Sequence, residues 1–229
     1  MTEEELITHY PRLWHMAHAD AWPAIRDHGL MSASALLQAY KVMGQRHQEL
    51  NSSRRPNSVP LSAAGLPGAV LRDQKPMDDK RLQACLDDGL TPKDWYELLN
   101  SRTFFWLSRS RIWRLLGARA YRDVPQTVLT VDTASLVAAH RDRIWLSPIN
   151  SGATLFNPQR RGVQTFQRIG DFPFSARKPR PLENNVVELL VEQSVIDIRD
   201  YVLAVHEVRN DQIISEIWRR AGASTDEHP

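Results

Sequence analysis

Hydrophobic and polar positions along this chain alternate between two periods, and the switches predict short strands interleaved with short helices. Residues 13–17, Leu-Trp-His-Met-Ala, read as a strand. Asp20 is placed to cap a helix over 21–28, and Gly29 to stop it. Ser32 or Ser34 caps a further helix over 33–42, after which 45–58 is polar and aperiodic and reads as a mobile loop. A short extended segment at 69–74 and a helix over 78–86 follow. Thr91-Pro92 is a strong helix start, with threonine as N-cap and proline in the first turn. The aromatic run 102–107 reads as a strand, then Ser108 caps an arginine-rich helix over 109–120. Strands are predicted at 126–132, 143–146, 186–191 and 201–208, with a helix at 133–139 and a last helix over 211–220.

This order implies an α+β chain. Its 229 residues, 42% of them hydrophobic, suffice for one core, so 1–220 is expected as a single domain and 221–229 as a disordered tail. No apolar run approaches membrane-spanning length and the start is acidic, so the expected location is cytoplasmic. Cys85 is the only cysteine, which rules out an internal disulfide or a cysteine-rich zinc site. Net charge is only +2, but its distribution is uneven. Residues 102–122 hold six arginines and no acid, and 160–180 hold Asp171 as their single acid. The two segments read either as one phosphate-binding face or as a solvated helix face plus a basic loop.

Glu188 interrupts the apolar run Val186 to Val191. Burying an unpaired carboxylate costs several kcal/mol or forces its pKa upward, so such a residue is paired, rim-facing or functional. Glu192, at the polar end of that run, is expected to be dispensable. Metal binding is not expected: His15 and His18 point to opposite faces of a strand, and no acidic or histidine cluster completes a set. No nucleophile elbow and no glycine-rich phosphate loop is present.

The order Leu13-Trp-His15-Met-Ala, then Ala24-Ile25 with Gly29-Leu30, then Phe104-Phe105-Trp106, then Val187-Glu188-Leu-Leu-Val resembles the histidine-aromatic-glutamate branch of the ADP-ribosyltransferase fold. More narrowly, both ends of the chain resemble DarT-type nucleic-acid ADP-ribosyltransferases, which are toxins of bacterial toxin–antitoxin modules. The resemblance implies a split mixed β-sheet with flanking helices, NAD as co-substrate, a nucleic-acid acceptor and an antitoxin protein as partner. By position it implies that His15 holds a ribose, that Phe105 or Trp106 packs on nicotinamide, and that Glu188 is catalytic. Arg72, with Arg102 competing, is the candidate for the pyrophosphate. Acceptor contacts are expected from Asn150, Ser151, Arg160, Arg161 and Arg177, with Lys178, Arg168 and Arg180 adding positive charge. The run Phe-Phe-Trp lacks the hydroxyl of the tyrosine that is commoner there. Two alternatives remain: an NAD-using enzyme resembling RNA 2′-phosphotransferase, and a non-catalytic nucleic-acid-binding module with the same fold.

Overall fold

The computed structural model describes residues 1–177 and 179–229. Its strands are β1 (Arg12–His18), β2 (Leu30–Met31), β3 (Val59–Leu61), β4 (Ala69–Leu71), β5 (Arg102–Trp106), β6 (Gln126–Asp132), β7 (Ile144–Ser147), β8 (Glu188–Glu192), β9 (Ser194–Val195), β10 (Val202–Arg209) and β11 (Gln212–Arg219). The helices are α1 (Glu3–His9), α2 (Trp22–His28), α3 (Ala33–Ala39), α4 (Gly44–Ser52), α5 (Asp79–Cys85), α6 (Pro92–Asn100), α7 (Arg109–Leu116), α8 (Thr133–His140) and α9 (Leu182–Asn185). Among the described residues, no helix is long and apolar enough to cross a membrane.

Seven strands form one sheet in the order β11-β10-β6-β1-β5-β8-β7, with β2-β9 and β3-β4 as small ribbons. The α+β class agrees with the sequence, but the sheet is antiparallel at every pairing where a mixed one was expected. Strand direction depends on long-range pairing, which local periodicity does not carry. The main core lies on one face, where Leu13, Phe105, Leu129, Val131, Leu189, Val191 and Val205 meet Leu136 and Val137 of α8. On the other face Trp14, Val128 and Val208 pack under Ile112 and Leu116 of α7. Six residues of β6 in a row are buried, as expected of a central strand covered on both sides.

Four local expectations are corrected. Residues 211–220 form β11 rather than a helix: Asn210, with φ 56°, and Asp211 make a two-residue turn that folds the chain back on β10. Ile213, Ile217 and Trp218 fit helical spacing too, so periodicity alone did not decide between the two. The first part of the polar stretch expected as a loop is helix α4, and only 53–58 is irregular; the single buried residue of α4 is Leu50, and Ser52 and Asn51 tie it to Glu97 and Asn100 of α6. Asp20 does not cap α2, because it turns at φ 61° and Ala21 occupies the cap. The terminal residues expected as a tail fold back: Arg12 sits between Asp132 and a buried Glu227, and Arg109 donates to the Asp226 and His228 carbonyls.

Candidate active site

β1 and β5 pair at a single register, Trp14 opposite Trp106, and then diverge. The gap holds His15, whose Nδ1 lies 2.8 Å from the Phe104 carbonyl oxygen. A carbonyl can only accept, so Nδ1 carries the proton; burial lowers the imidazole pKa to about 4, against the raising effect of that bond, so the ring is neutral. Nε2 is then a lone-pair acceptor with no protein partner among the described residues, suited to a hydroxyl. Two cavities meet at this gap. One, of about 360 Å³, is walled by apolar residues including Ala17, Ile25, Leu36 and Val70. The other, of about 280 Å³, runs past Trp106 to Glu188. His15, Arg55, Arg72, Arg102 and Phe104 line both.

Three arginines thus stand at the waist, and their bonding differs. Arg55 is spent on structure: it donates to the carbonyls of Arg72 and Leu50 and to Asn100, and burial lowers its pKa to about 10. Arg72 donates to Gln126 at 2.6 Å and lies over the Tyr121 ring. Arg102 lies over the rings of Trp145 and Phe166, at 5.3 and 4.7 Å, and its buried Nη1 has no partner among the described residues. Stacking fixes the guanidinium plane while leaving a donor free. Glu192, opposite Arg102 on β8, accepts from Trp145 and Arg168, so it braces this stack rather than standing idle.

Glu188 is 4% exposed. It lies opposite Trp106 on one side and Ser147 on the other, on the sheet face that Trp106 and Phe104 share. The Ser151 N–H donates to both carboxylate oxygens, at 3.3 and 3.1 Å. Burial pushes the Glu188 pKa up to about 7, opposed by bonding from Ser151 and by the charges of Arg111 and Arg161. A carboxyl titrating there can hold or release a proton near neutrality.

Of the residues singled out in the sequence, His15, Arg72, Arg102, Phe105, Trp106, Asn150, Ser151 and Glu188 line the second cavity. Phe105 borders the cavity beside His15, but strand alternation turns its 1% exposed ring into the main core, and Phe104 and Trp106 offer the rings on the Glu188 face. The acceptor arginines are corrected as well. Arg160 pairs with Asp87 on the surface, Arg161 is 2% exposed and donates to main-chain carbonyls, and Arg177 donates to the carbonyls of Asn184, Asn185 and Pro148. Lys178 lies outside the described residues.

The other arginine-rich segment borders the site. Lys75, Arg111, Arg114 and Arg119 line a groove of about 940 Å³ that shares Trp106, Tyr121 and Asn150 with the Glu188 cavity and carries Phe156, 92% exposed, on its rim. Arg111 is occupied by the Glu183 carbonyl and Asn184; the side chains of Lys75, Arg114 and Arg119 have no hydrogen-bond partner among the described residues. Tyr121 is the residue that sequence reasoning missed. Its hydroxyl donates to Asp73 at 2.9 Å; burial and that carboxylate raise its pKa, so it stays protonated.

No curated protein matches the sequence. Among solved structures, the chain is similar to Thermosipho africanus DarTG in complex with ADP-ribose, with TM-score 0.41 and 16% identity over 86% of this chain and 43% of that one. It is also similar to Thermus sp. 2.9 DarT in complex with NAD+, with TM-score 0.36 and 14% identity over 82% of this chain and 77% of that one. The chain therefore spans less than half the length of the first. A model described as a family of unknown function, DUF7002, matches residues 11–202.

Proposed function

This chain belongs to the DUF7002 family of unknown function, and we propose that it is an NAD-dependent ADP-ribosyltransferase with a nucleic-acid acceptor. The observation that carries the reading is the convergence on one cleft of a neutral His15, a free Arg102 donor, the Trp106 ring and a buried Glu188 whose pKa is raised to about 7. The residues fit the co-substrate. The unpartnered Nη1 of Arg102 is a buried donor in want of an anion, such as a diphosphate oxygen. His15 Nε2 accepts from a ribose hydroxyl, and Trp106 offers an aromatic face beside Glu188.

NAD supplies an ADP-ribosyl group on a nicotinamide leaving group: the glycosidic carbon–nitrogen bond breaks with its electron pair going to nicotinamide, and an acceptor atom bonds to the ribose carbon. Glu188 receives the proton that the acceptor loses, and its charge stabilises the electron-poor ribose as the bond breaks. The basic groove brings the acceptor. Lys75, Arg114 and Arg119 attract phosphates while Phe156, Tyr121 and Trp106 present rings to bases.

Titration calorimetry tests the co-substrate half. NAD is expected to bind the wild-type chain, and Arg102→Ala to weaken it about tenfold or more, the scale of one lost charge-assisted contact. Absence of NAD binding to the folded wild type would remove the proposal.

A further inference from the structure

The peptide that meets Glu188 is itself held from behind. Ser151 is fully buried, and while its N–H bridges the two Glu188 oxygens, its carbonyl accepts from Arg161 Nη1 at 2.9 Å and from Trp95 Nε1 at 3.2 Å. Trp95 is also fully buried and stacks on Phe166 at 5.5 Å, and the Arg161 guanidinium lies over the Trp95 ring at 5.8 Å. Arg161 is anchored at its own backbone, where its N–H donates to the Cys85 carbonyl and its carbonyl accepts from Asp87.

Burying a guanidinium is expensive unless something compensates it. Arg161 makes no ion pair among the described residues; its side chain donates to the Gln159 and Ser151 carbonyls and has the Cys85 thiol as a further neighbour. A neutral donor would satisfy those oxygens at less desolvation cost, so the charge itself needs a reason. Its charge favours the ionised form of Glu188, as does that of Arg111 of α7. Among the described residues those two arginines are the charged groups that act on the carboxylate, and they belong to different segments.

We propose that Arg161 is a positioning residue for Glu188: through the Ser151 carbonyl it fixes the turn whose N–H binds the carboxylate, and it sets a buried positive charge behind that turn. The catalytic consequence rests on the proposed role of Glu188, whereas the geometry does not. Removing Arg161 then raises the Glu188 pKa above its value of about 7 and loosens the Ser151 amide.

The test is NMR on protein labelled with ¹³C at glutamate carboxyls and ¹⁵N at backbone amides, with the Glu188 signal identified by its loss in Glu188→Gln. Arg161→Met is expected to raise the Glu188 pKa by about one unit, a tenfold fall in the ionised-to-neutral ratio, and to speed Ser151 amide exchange about tenfold. Arg161→Lys keeps the charge without the planar fork, so it is expected to speed exchange with a smaller pKa change. If Arg161→Met does not fold, Arg161→Lys and Trp95→Phe carry the test, both with faster Ser151 exchange expected. Folded variants in which Ser151 exchange and the Glu188 titration match the wild type would overturn the proposal. Neither readout needs NAD or acceptor, so a chain that fails to turn NAD over would leave this result standing, and the reverse also holds.

Discussion

Glu188 sets a pH dependence that stability measurements can read. The ordinary carboxyl value is 4.5 and the folded value about 7, so between them the folded state holds a proton that the unfolded state has lost. The stability this group contributes is therefore fully present below pH 4.5 and is lost as pH rises through 7. The linked change between pH 5 and pH 8 is about 2.5 kcal/mol. Urea unfolding of wild type and Glu188→Gln at the two pH values checks it. The wild type is expected to lose that increment relative to the glutamine variant, which keeps the shape and cannot ionise. Parallel pH dependence in the two would mean that the carboxylate is not desolvated. Such a cost persists where a function needs it, and Glu188 is thus expected to be a residue whose replacement stabilises the protein near pH 8.

Among the elements, α2 and the β2-β9 ribbon meet at a point that a single atom can break. Gly29 ends α2 at φ 87°, and a Cβ there would lie 2.4 Å from the Cα of Ile196. Gly29→Ala therefore adds a left-handed alanine to a backbone clash, and is expected to destabilise by about 2 kcal/mol or more, seen as a lowered unfolding midpoint in urea. Unchanged stability would mean that the ribbon, which walls the apolar cavity, yields freely. The helix stop at Gly29 is legible in the sequence because the residue follows a short amphipathic run; its packing on Ile196, in a loop more than 160 residues away, is not. The same division recurs across the chain. β1, β5, β6 and β8 announce themselves as aromatic or β-branched runs, and Glu188 stands out as the carboxylate within one of them. β11 does not, since Ile213, Ile217 and Trp218 suit either period and the hairpin with β10 decides. α4 does not either, because a helix with one buried residue leaves almost no apolar stripe. Arginine content marks basic segments, but whether a guanidinium faces solvent or the interior depends on tertiary packing; Arg161 and Arg114 look alike in sequence and differ completely in surroundings.

For the molecule as a whole, the two arginine-rich segments divide the labour. The later one is largely consumed in bonds to main-chain carbonyls and surface acids, whereas the earlier one borders the groove beside Glu188. Nucleic-acid binding is expected to be salt-sensitive, and Arg114→Ala and Arg119→Ala each to weaken it and to reduce the slope of log affinity against log salt by about one. Arg160→Ala, away from the groove, is expected to leave that slope unchanged. Fluorescence anisotropy with a labelled single-stranded oligonucleotide measures both, and an unaltered slope in the Arg114 and Arg119 variants would move the acceptor elsewhere. The cleft, the groove and the buried carboxylate make one claim together, that ADP-ribose is transferred from NAD under the control of Glu188. The most direct measurement is release of nicotinamide and labelling of single-stranded nucleic acid by purified wild type and Glu188→Gln, each first shown to be folded. Turnover by the wild type with a loss of at least about a hundredfold in the variant is the expected result; equal turnover by the two proteins would contradict it.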